Sequence, residues 1–107
     1  MALTESKFGY QNYHNLTAMG YKALVILELP NASEEQKNIF HTVLLKELWF
    51  KIQNLNTAWE ISFNQNWSRG GAIEAIESDL KKAREISGIQ QIKYALQLDI
   101  QLVVKSC

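Results

Sequence analysis

One acidic residue, Glu28, lies at the end of a predicted strand, a position from which a carboxylate can bind a metal ion or act in catalysis. Glu28 stands at the end of an apolar run, and Pro30 and a polar turn follow it. A carboxylate in that place can hold a divalent ion such as Mg²⁺ or activate a water for phosphodiester cleavage. A single carboxylate is also commonly a solvated strand end that accepts local N–H bonds. Glu28 is therefore the one candidate for a catalytic or metal-binding residue, and both interpretations stay open.

Polar residues that could bind an anion follow two predicted strands. Each set leads into a predicted helix, whose first N–H groups are unpaired and partly positive. We expect the first and third strands to run parallel, so that both loops meet at one end of the sheet. Arg69 and the two helix starts would then hold a phosphate. The alternative is an ordinary pair of capped helix starts, formed by Asn31, Ser33, Asn66, Ser68, Arg69, Gly70 and Gly71.

Other common catalytic patterns are absent from the sequence. His14 and His41 are far apart, without Cys or Asp at a zinc-ligand spacing, so we predict no metal site beyond Glu28. No phosphate-binding loop, nucleophile elbow, metalloprotease motif or dinucleotide fingerprint is present. Cys107, at the last position, has no second cysteine to pair with, so a reducing, cytoplasmic location is expected.

Composition predicts one folded domain without long-range attraction for polyanions. The chain has 107 residues, 47% of them hydrophobic, and eleven basic residues balance eleven acidic ones. A neutral chain does not attract nucleic acid or anionic membrane over distance, and no apolar run is long enough to span a bilayer. We expect an aromatic and polar arm at residues 1–18 and one domain at 19–107.

The apolar run 21–30, YKALVILELP, predicts the central strand that positions these residues. It is rich in β-branched and aliphatic residues on both faces, as a buried strand requires, and Pro30 ends it. Ser33 and Gln36 form a capping-box pattern, so a helix should follow to about Glu47.

Three more segments complete the predicted fold. Residues 57–64 alternate apolar and polar, a helix is expected over 72–87 with Gly88 as its end, and 92–104 alternate again. Residues 49–54 predict a short second strand, which gives a ferredoxin-like βαββαβ sandwich of the α+β class. Two helices would pack on one face of a four-stranded antiparallel sheet. A helical 49–54 would instead give βαβαβ.

The sheet face away from the helices is the second candidate site. It should be a small apolar centre with a charged rim, and only Trp49 among the aromatics is expected to point that way. Base stacking on RNA needs more aromatic side chains than that. A face of this kind more often packs on another chain, so homodimerisation is expected through Lys22, Leu24, Ile26, Glu60, Gln97 and Asp99.

The segment LVILELPN, from Leu24 to Asn31, with the capped helix after it, resembles a known family. It is similar to the first strand of small ferredoxin-fold CRISPR-associated nucleases and of toxin–antitoxin endoribonucleases such as the GhoS-like antitoxins. The match continues loosely through Leu45–Phe63. The resemblance implies RNA cleavage or binding at the strand-end carboxylate, with Mg²⁺. The family usually has aspartate where this chain has Glu28, which changes the reach of the carboxylate.

Two functions from different classes follow from these patterns. The first is a small, non-catalytic regulatory or interaction protein that homodimerises or binds a protein partner through its open sheet face. The alternative is an RNA-cleaving or RNA-binding antitoxin-type protein that uses Glu28 and Arg69. Neutral charge and the lack of a catalytic cluster favour the first function.

Overall fold

The computed structural model describes residues 20–100, which form one layer of strands and one layer of helices. The strands form a four-stranded antiparallel sheet in the order β2-β3-β1-β4. The predicted α+β class is confirmed, and the strand order is compatible with a ferredoxin-like sandwich. The elements in chain order are β1 (Lys22–Glu28), α1 (Glu34–Lys46), β2 (Phe50–Lys51), β3 (Ala58–Ser62), α2 (Arg69–Ser87) and β4 (Lys93–Asp99).

Some of the predictions fall on the two ends of the chain. The expected arm at 1–18, the continuation of the last strand over 101–104, and Cys107 lie outside the described residues. His14 lies outside them as well.

β1 is central because both of its neighbours are strands of the same sheet. Ala23, Val25 and Leu27 are 0%, 0% and 4% exposed and face the helices. The alternate residues of β1 lie on the other face and are half-buried or exposed. Burying the side chains of Val25 and Leu27 contributes on the order of 1.5–3 kcal/mol each, so this strand anchors the domain.

The predicted parallel arrangement of the first and third strands is wrong. β1 and β3 pair antiparallel, with Lys22 opposite Ser62 and Ile26 opposite Ala58. The physical reason is the tight turn between β2 and β3. α1 carries the chain back along the sheet, β2 then runs in the direction of β1, and the turn reverses the chain before β3.

α1 begins and ends as local chemistry dictates. Ser33 Oγ accepts the Gln36 backbone N–H at 3.1 Å, and Gln36 Oε1 accepts the Ser33 N–H at 3.0 Å, which completes the predicted capping box. After the helix, Leu48 adopts a left-handed conformation with φ of 70°. This reversal turns Trp49 back into the core, where its backbone N–H donates to the Leu44 carbonyl at 3.0 Å.

α2 begins at Arg69, earlier than the predicted Ala72, and Ser68 is its N-cap. The two glycines expected in a loop, Gly70 and Gly71, therefore lie in its first turn. Gly88 ends the helix in a left-handed conformation with φ of 77°, as predicted.

The core lies between the sheet and the two helices. Its largest fully buried side chains come from both layers, and two tryptophans dominate it. They contact each other edge to face, with ring centroids 6.4 Å apart. The set comprises Trp49, Trp59, Phe40, Leu44, Ile61, Ile76, Leu80 and Val25, with Asn64 as its one polar member.

Candidate functional site: the open face of the sheet

The predicted polar end of the sheet does not form, because its residues divide between two opposite ends. Glu28 is the last residue of β1, and Asn31 and Ser33 follow it. Arg69 and the residues around it follow the last residue of β3, which pairs with the first residue of β1. Glu28 and Arg69 therefore do not converge on one phosphate within a single chain.

At the β1–α1 end, the predicted anion-binding residues have structural partners. Ser33 uses its hydroxyl and its N–H in the capping box. Asn31 is exposed and has a φ of 63°, a left-handed turn conformation that asparagine adopts more readily than most residues. Glu34 and Glu35 lie in the first turn of α1. Their negative charges complement the helix dipole and oppose the approach of an anion.

At the β3–α2 end, the remaining predicted residues do lie together. Ser68 Oγ accepts the Gly71 N–H at 2.9 Å, and Asn66 donates its N–H to Asn64 Oδ1 at 2.8 Å. Arg69 is exposed, and a Cβ added at Gly70 would meet no atom within 4 Å. The first turn of α2 contains no acidic residue. This end is an ordinary capped helix start with one exposed arginine.

Glu28 is exposed at the end of β1, opposite Lys93 of β4. Its predicted metal-binding role would require further ligands. In residues 20–100, no group of three or more His, Cys, Asp or Glu side chains is placed to hold a metal ion. A metal site would therefore need ligands from outside this range or from a second chain.

The open face, the sheet face away from α1 and α2, brings the second predicted set together. β1 contributes Lys22, Leu24 and Ile26, and the pairing register places Glu60 and Gln97 on either side of Leu24. Asp99 lies opposite Lys22. The six residues predicted to form this interface therefore lie on the open face.

The apolar centre of the open face is partly exposed. Ile26 is 40% exposed although it lies on a central strand, between Ala58 and Ala95 in the register. Leu24 is half-buried. Within residues 20–100, both helices pack on the opposite face of the sheet. The apolar residues of β1 are therefore covered by helices on one face and not on the open face.

The charges on the open face are matched within the sheet. Lys22 Nζ lies 3.3 Å from Glu60 Oε2 and donates to Ser62 Oγ at 3.0 Å. Glu28 and Lys93 are opposite each other in the register. A half-exposed ion pair such as Lys22–Glu60 contributes about 0.2–1 kcal/mol, so it sets the polarity of the rim more than the stability of the fold.

Among residues 20–100, Phe50 is the aromatic residue on the open face, whereas Trp49 was expected there from the sequence. Trp49 is 0% exposed in the core, while Phe50 lies opposite Glu60 and is 51% exposed. Because β2 has two residues, its alternation is too short to show which residue faces which way. The pairing of Phe50 with Glu60 of β3 is what places Phe50 on the open face.

The open face also has a buried corner beside β2. Ile52 is 7% exposed and Ala58 is 3% exposed, and neither belongs to the core cluster between sheet and helices. The Ile52 N–H donates to the Ala58 carbonyl at 2.9 Å. Ala58 lies opposite Ile26 on the open face, and it is buried there.

Comparisons of this chain with protein families, curated proteins and solved structures found no match. The resemblance to ferredoxin-fold endoribonucleases therefore stays a prediction. Within residues 20–100, no helix has the length and apolar character needed to cross a membrane.

Proposed function

We propose that this protein is a small non-catalytic interaction protein that forms a homodimer through the open face. The observation that carries the proposal is Ile26, an aliphatic side chain 40% exposed in the middle of a central strand. Apolar side chains that cluster on one surface are typical of protein–protein contacts. Leu24 lies on the same face of β1, and Phe50 adds a further exposed apolar side chain beyond Glu60 in the register.

A second copy of the chain is the partner that fits the charges of this face. The rim carries both signs, and its charges are opposed within the sheet, as in the Lys22–Glu60 pair. The whole chain has a formal net charge of zero. Two such faces can therefore pack about a two-fold axis without strong like-charge repulsion. The proposed dimer resides in the cytoplasm, the compartment expected from the single cysteine.

The test is the substitution Ile26→Lys, read out by sedimentation of the purified full-length chain over a concentration series. A lysine at the centre of the interface would have to lose its hydration when the two faces pack. We expect association through the open face to weaken by about tenfold or more, the equivalent of at least 1.4 kcal/mol.

Ile86→Lys is the matched control. Ile86 is 55% exposed on α2, so the same substitution is made on the helix layer instead of the open face. We expect this variant to associate as the wild type does. A monomeric wild type, or an equal loss of association in both variants, would contradict a homodimer through the open face.

RNA cleavage is the alternative function, and it has a distinct test. Glu28 is exposed on the open-face side of β1, so a face-to-face dimer would place both copies of this carboxylate near the interface. Incubation with a mixed RNA pool, with and without Mg²⁺ or Mn²⁺, would show metal-dependent cutting by the wild type. Glu28→Gln keeps the size of the side chain and should abolish that cutting. Cutting that survives Glu28→Gln would rule out this residue.

A further inference from the structure

The two edges of the sheet differ in length. β2 forms one edge with two residues, and β4 forms the other with seven, Lys93–Asp99. Among residues 20–100, β4 pairs with β1 and no strand pairs with its outer side. Natural proteins protect long edges with proline, bulges or several charges, because unpaired edges bind other strands. Between Lys93 and Asp99 the sequence YALQL contains none of these protections.

The hydrogen bonds of β1 show which residues of β4 turn their backbone N–H and C=O groups towards the outer edge. The Leu27 N–H donates to the Thr57 carbonyl at 2.8 Å, and the Phe63 N–H donates to the Tyr21 carbonyl at 2.8 Å. The odd-numbered residues of β1 therefore bond towards β3, and its even-numbered residues bond towards β4. Ala23, opposite Leu98, turns its backbone groups away from β4.

The outward backbone groups of β4 therefore belong to every second residue. In an antiparallel ladder, residues opposite each other turn their N–H and C=O groups either both towards each other or both away. Applied to the β1–β4 register, this rule turns Tyr94, Leu96 and Leu98 outward. Tyr94 is 39% exposed, and its hydroxyl donates to Glu77 Oε2 at 2.9 Å, which raises the pKa of the tyrosine.

We infer that the outer edge of β4 pairs with β4 of a second copy, antiparallel and centred on Leu96. In this register the backbone of Leu96 forms hydrogen bonds with the backbone of Leu96 of the second copy. The backbone of Tyr94 does the same with Leu98 of the second copy. All of these residues turn their backbone groups outward, as the pairing requires. Lys93 then stands opposite Asp99 of the second copy, so one opposite-charge pair forms at each end of the contact.

The charges favour this register over its neighbours. A pairing centred on Ala95 would place Lys93 opposite Gln97, and one centred on Gln97 would place Asp99 opposite Ala95. Neither forms the opposite-charge pairs, which stabilise strands when they lie directly opposite each other. Because residues opposite each other share a face, the pairing also keeps both helix layers on one side.

This edge contact uses a different surface from the open-face dimer and does not rest on it. In combination, the two contacts would join more than two chains. The test is therefore made in the Ile26→Lys background, where the open face is disabled. There the inference predicts a dimer that remains concentration-dependent.

Charge reversal tests the register directly. Lys93→Asp places like negative charges opposite each other, and Asp99→Lys does the same with positive charges. We expect each variant alone to dimerise about tenfold more weakly or worse, as roughly 1.4 kcal/mol of lost and reversed pairing implies. Mixed in equal amounts, the two variants should form heterodimers, because both ends of the contact then carry opposite charges. Native mass spectrometry would distinguish the species.

A matched control excludes general attraction between oppositely charged chains. Glu74→Lys changes the net charge by the same amount as Asp99→Lys, on an exposed position of α2. In the mixture, Glu74→Lys should dimerise with itself as the wild type does and form few heterodimers with Lys93→Asp. The inference is overturned if this mixture forms heterodimers equally well, if the complementary mixture forms none, or if the Ile26→Lys background is monomeric.

Hydrogen exchange gives a second readout that needs no change in β4. The Leu96 N–H points away from β1, so it should exchange slowly in the dimer and faster on dilution. The Gln97 N–H bonds towards β1 and should stay protected at every concentration. Fast exchange at Leu96 at high concentration would overturn the edge pairing. The open-face proposal fails separately, if Ile26→Lys leaves the wild-type assembly unchanged.

Discussion

The indole N–H of Trp49 donates a hydrogen bond of 2.8 Å to Oδ2 of Asp79, which joins the α1–β2 connection to α2. Trp49 is 0% exposed and Asp79 is half-buried. A buried indole needs an acceptor for its N–H, and α2 provides a charged one. This bond accounts for the inward position of Trp49, which leaves Phe50 on the opposite face.

Trp49→Phe should destabilise the domain strongly. The variant loses a hydrogen bond to a charged group and leaves a space beside Trp59, so we expect the free energy of unfolding to fall by about 2–4 kcal/mol. Asp79→Asn keeps an oxygen acceptor at the same place and should cost less, about 1 kcal/mol. Urea unfolding of both variants measures the difference. If both variants lost the same free energy of unfolding, the charge of Asp79 would contribute more to stability than its hydrogen bond with the indole.

His41 should make stability depend on pH. Its ring is half-buried, with its centroid 5.3 Å from that of Trp59. Burial lowers the pKa of His41, and the nearby Lys51 and Lys37 lower it further, while Glu34 acts in the opposite direction. The unfolded chain therefore binds this proton more tightly than the folded domain does. The stabilisation is present above the unfolded pKa of about 6.5 and is lost as the pH falls through the lower folded pKa.

Thermal unfolding between pH 7.5 and 5.5 would check this dependence, because most carboxylates remain ionised there. We expect the melting temperature of the wild type to fall with pH more than that of His41→Phe, which keeps a ring against Trp59. His14 is present in both proteins, so its contribution should cancel to first order. Parallel curves for the two proteins would rule out a role for His41.

Two glycines should respond oppositely to alanine. A Cβ at Gly20 would overlap the Phe63 carbonyl oxygen, so Gly20→Ala should cost about 1–3 kcal/mol through backbone displacement. Gly70 lies in the first turn of α2 with open space around it, so Gly70→Ala should stabilise by about 0.4–1 kcal/mol. Denaturant midpoints give both values. A stabilising Gly20→Ala would show that the β1–β3 approach is looser than described.

Sequence reasoning succeeded where the signal is local and failed where two distant segments decide. The Ser33–Gln36 capping box and the Gly88 helix end are both properties of a few adjacent residues, and both were predicted. The direction of β3 relative to β1 is set by two successive reversals of the chain, α1 and the β2–β3 turn, and the wrong direction moved Arg69 to the wrong end of the sheet. Gly70 was expected in the loop before the helix, but Ser68 caps the helix and places Gly70 in its first turn, although glycine disfavours helices.

The open face was predicted more accurately than the polar end, for the same reason. Alternation along each strand fixes which of its residues lie on one face of the sheet, and this holds whatever the direction of the neighbouring strand. Glu60 and Gln97 were therefore placed on the correct face. Phe50 was missed because its strand is two residues long, and its face is set by the pairing with Glu60.

Trp67 should tolerate phenylalanine far better than Trp49 does. Its ring meets Phe63 edge to face at 5.0 Å, a contact that phenylalanine can keep. Its Nε1 is buried, and within the described part of the chain no hydrogen-bond acceptor serves it. Leaving a donor unpaired costs about 1–3 kcal/mol, so removing it offsets the smaller ring. We expect Trp67→Phe to stay within about 1 kcal/mol of the wild type in urea unfolding. A loss as large as that of Trp49→Phe would mean that the Trp67 N–H has an acceptor outside residues 20–100.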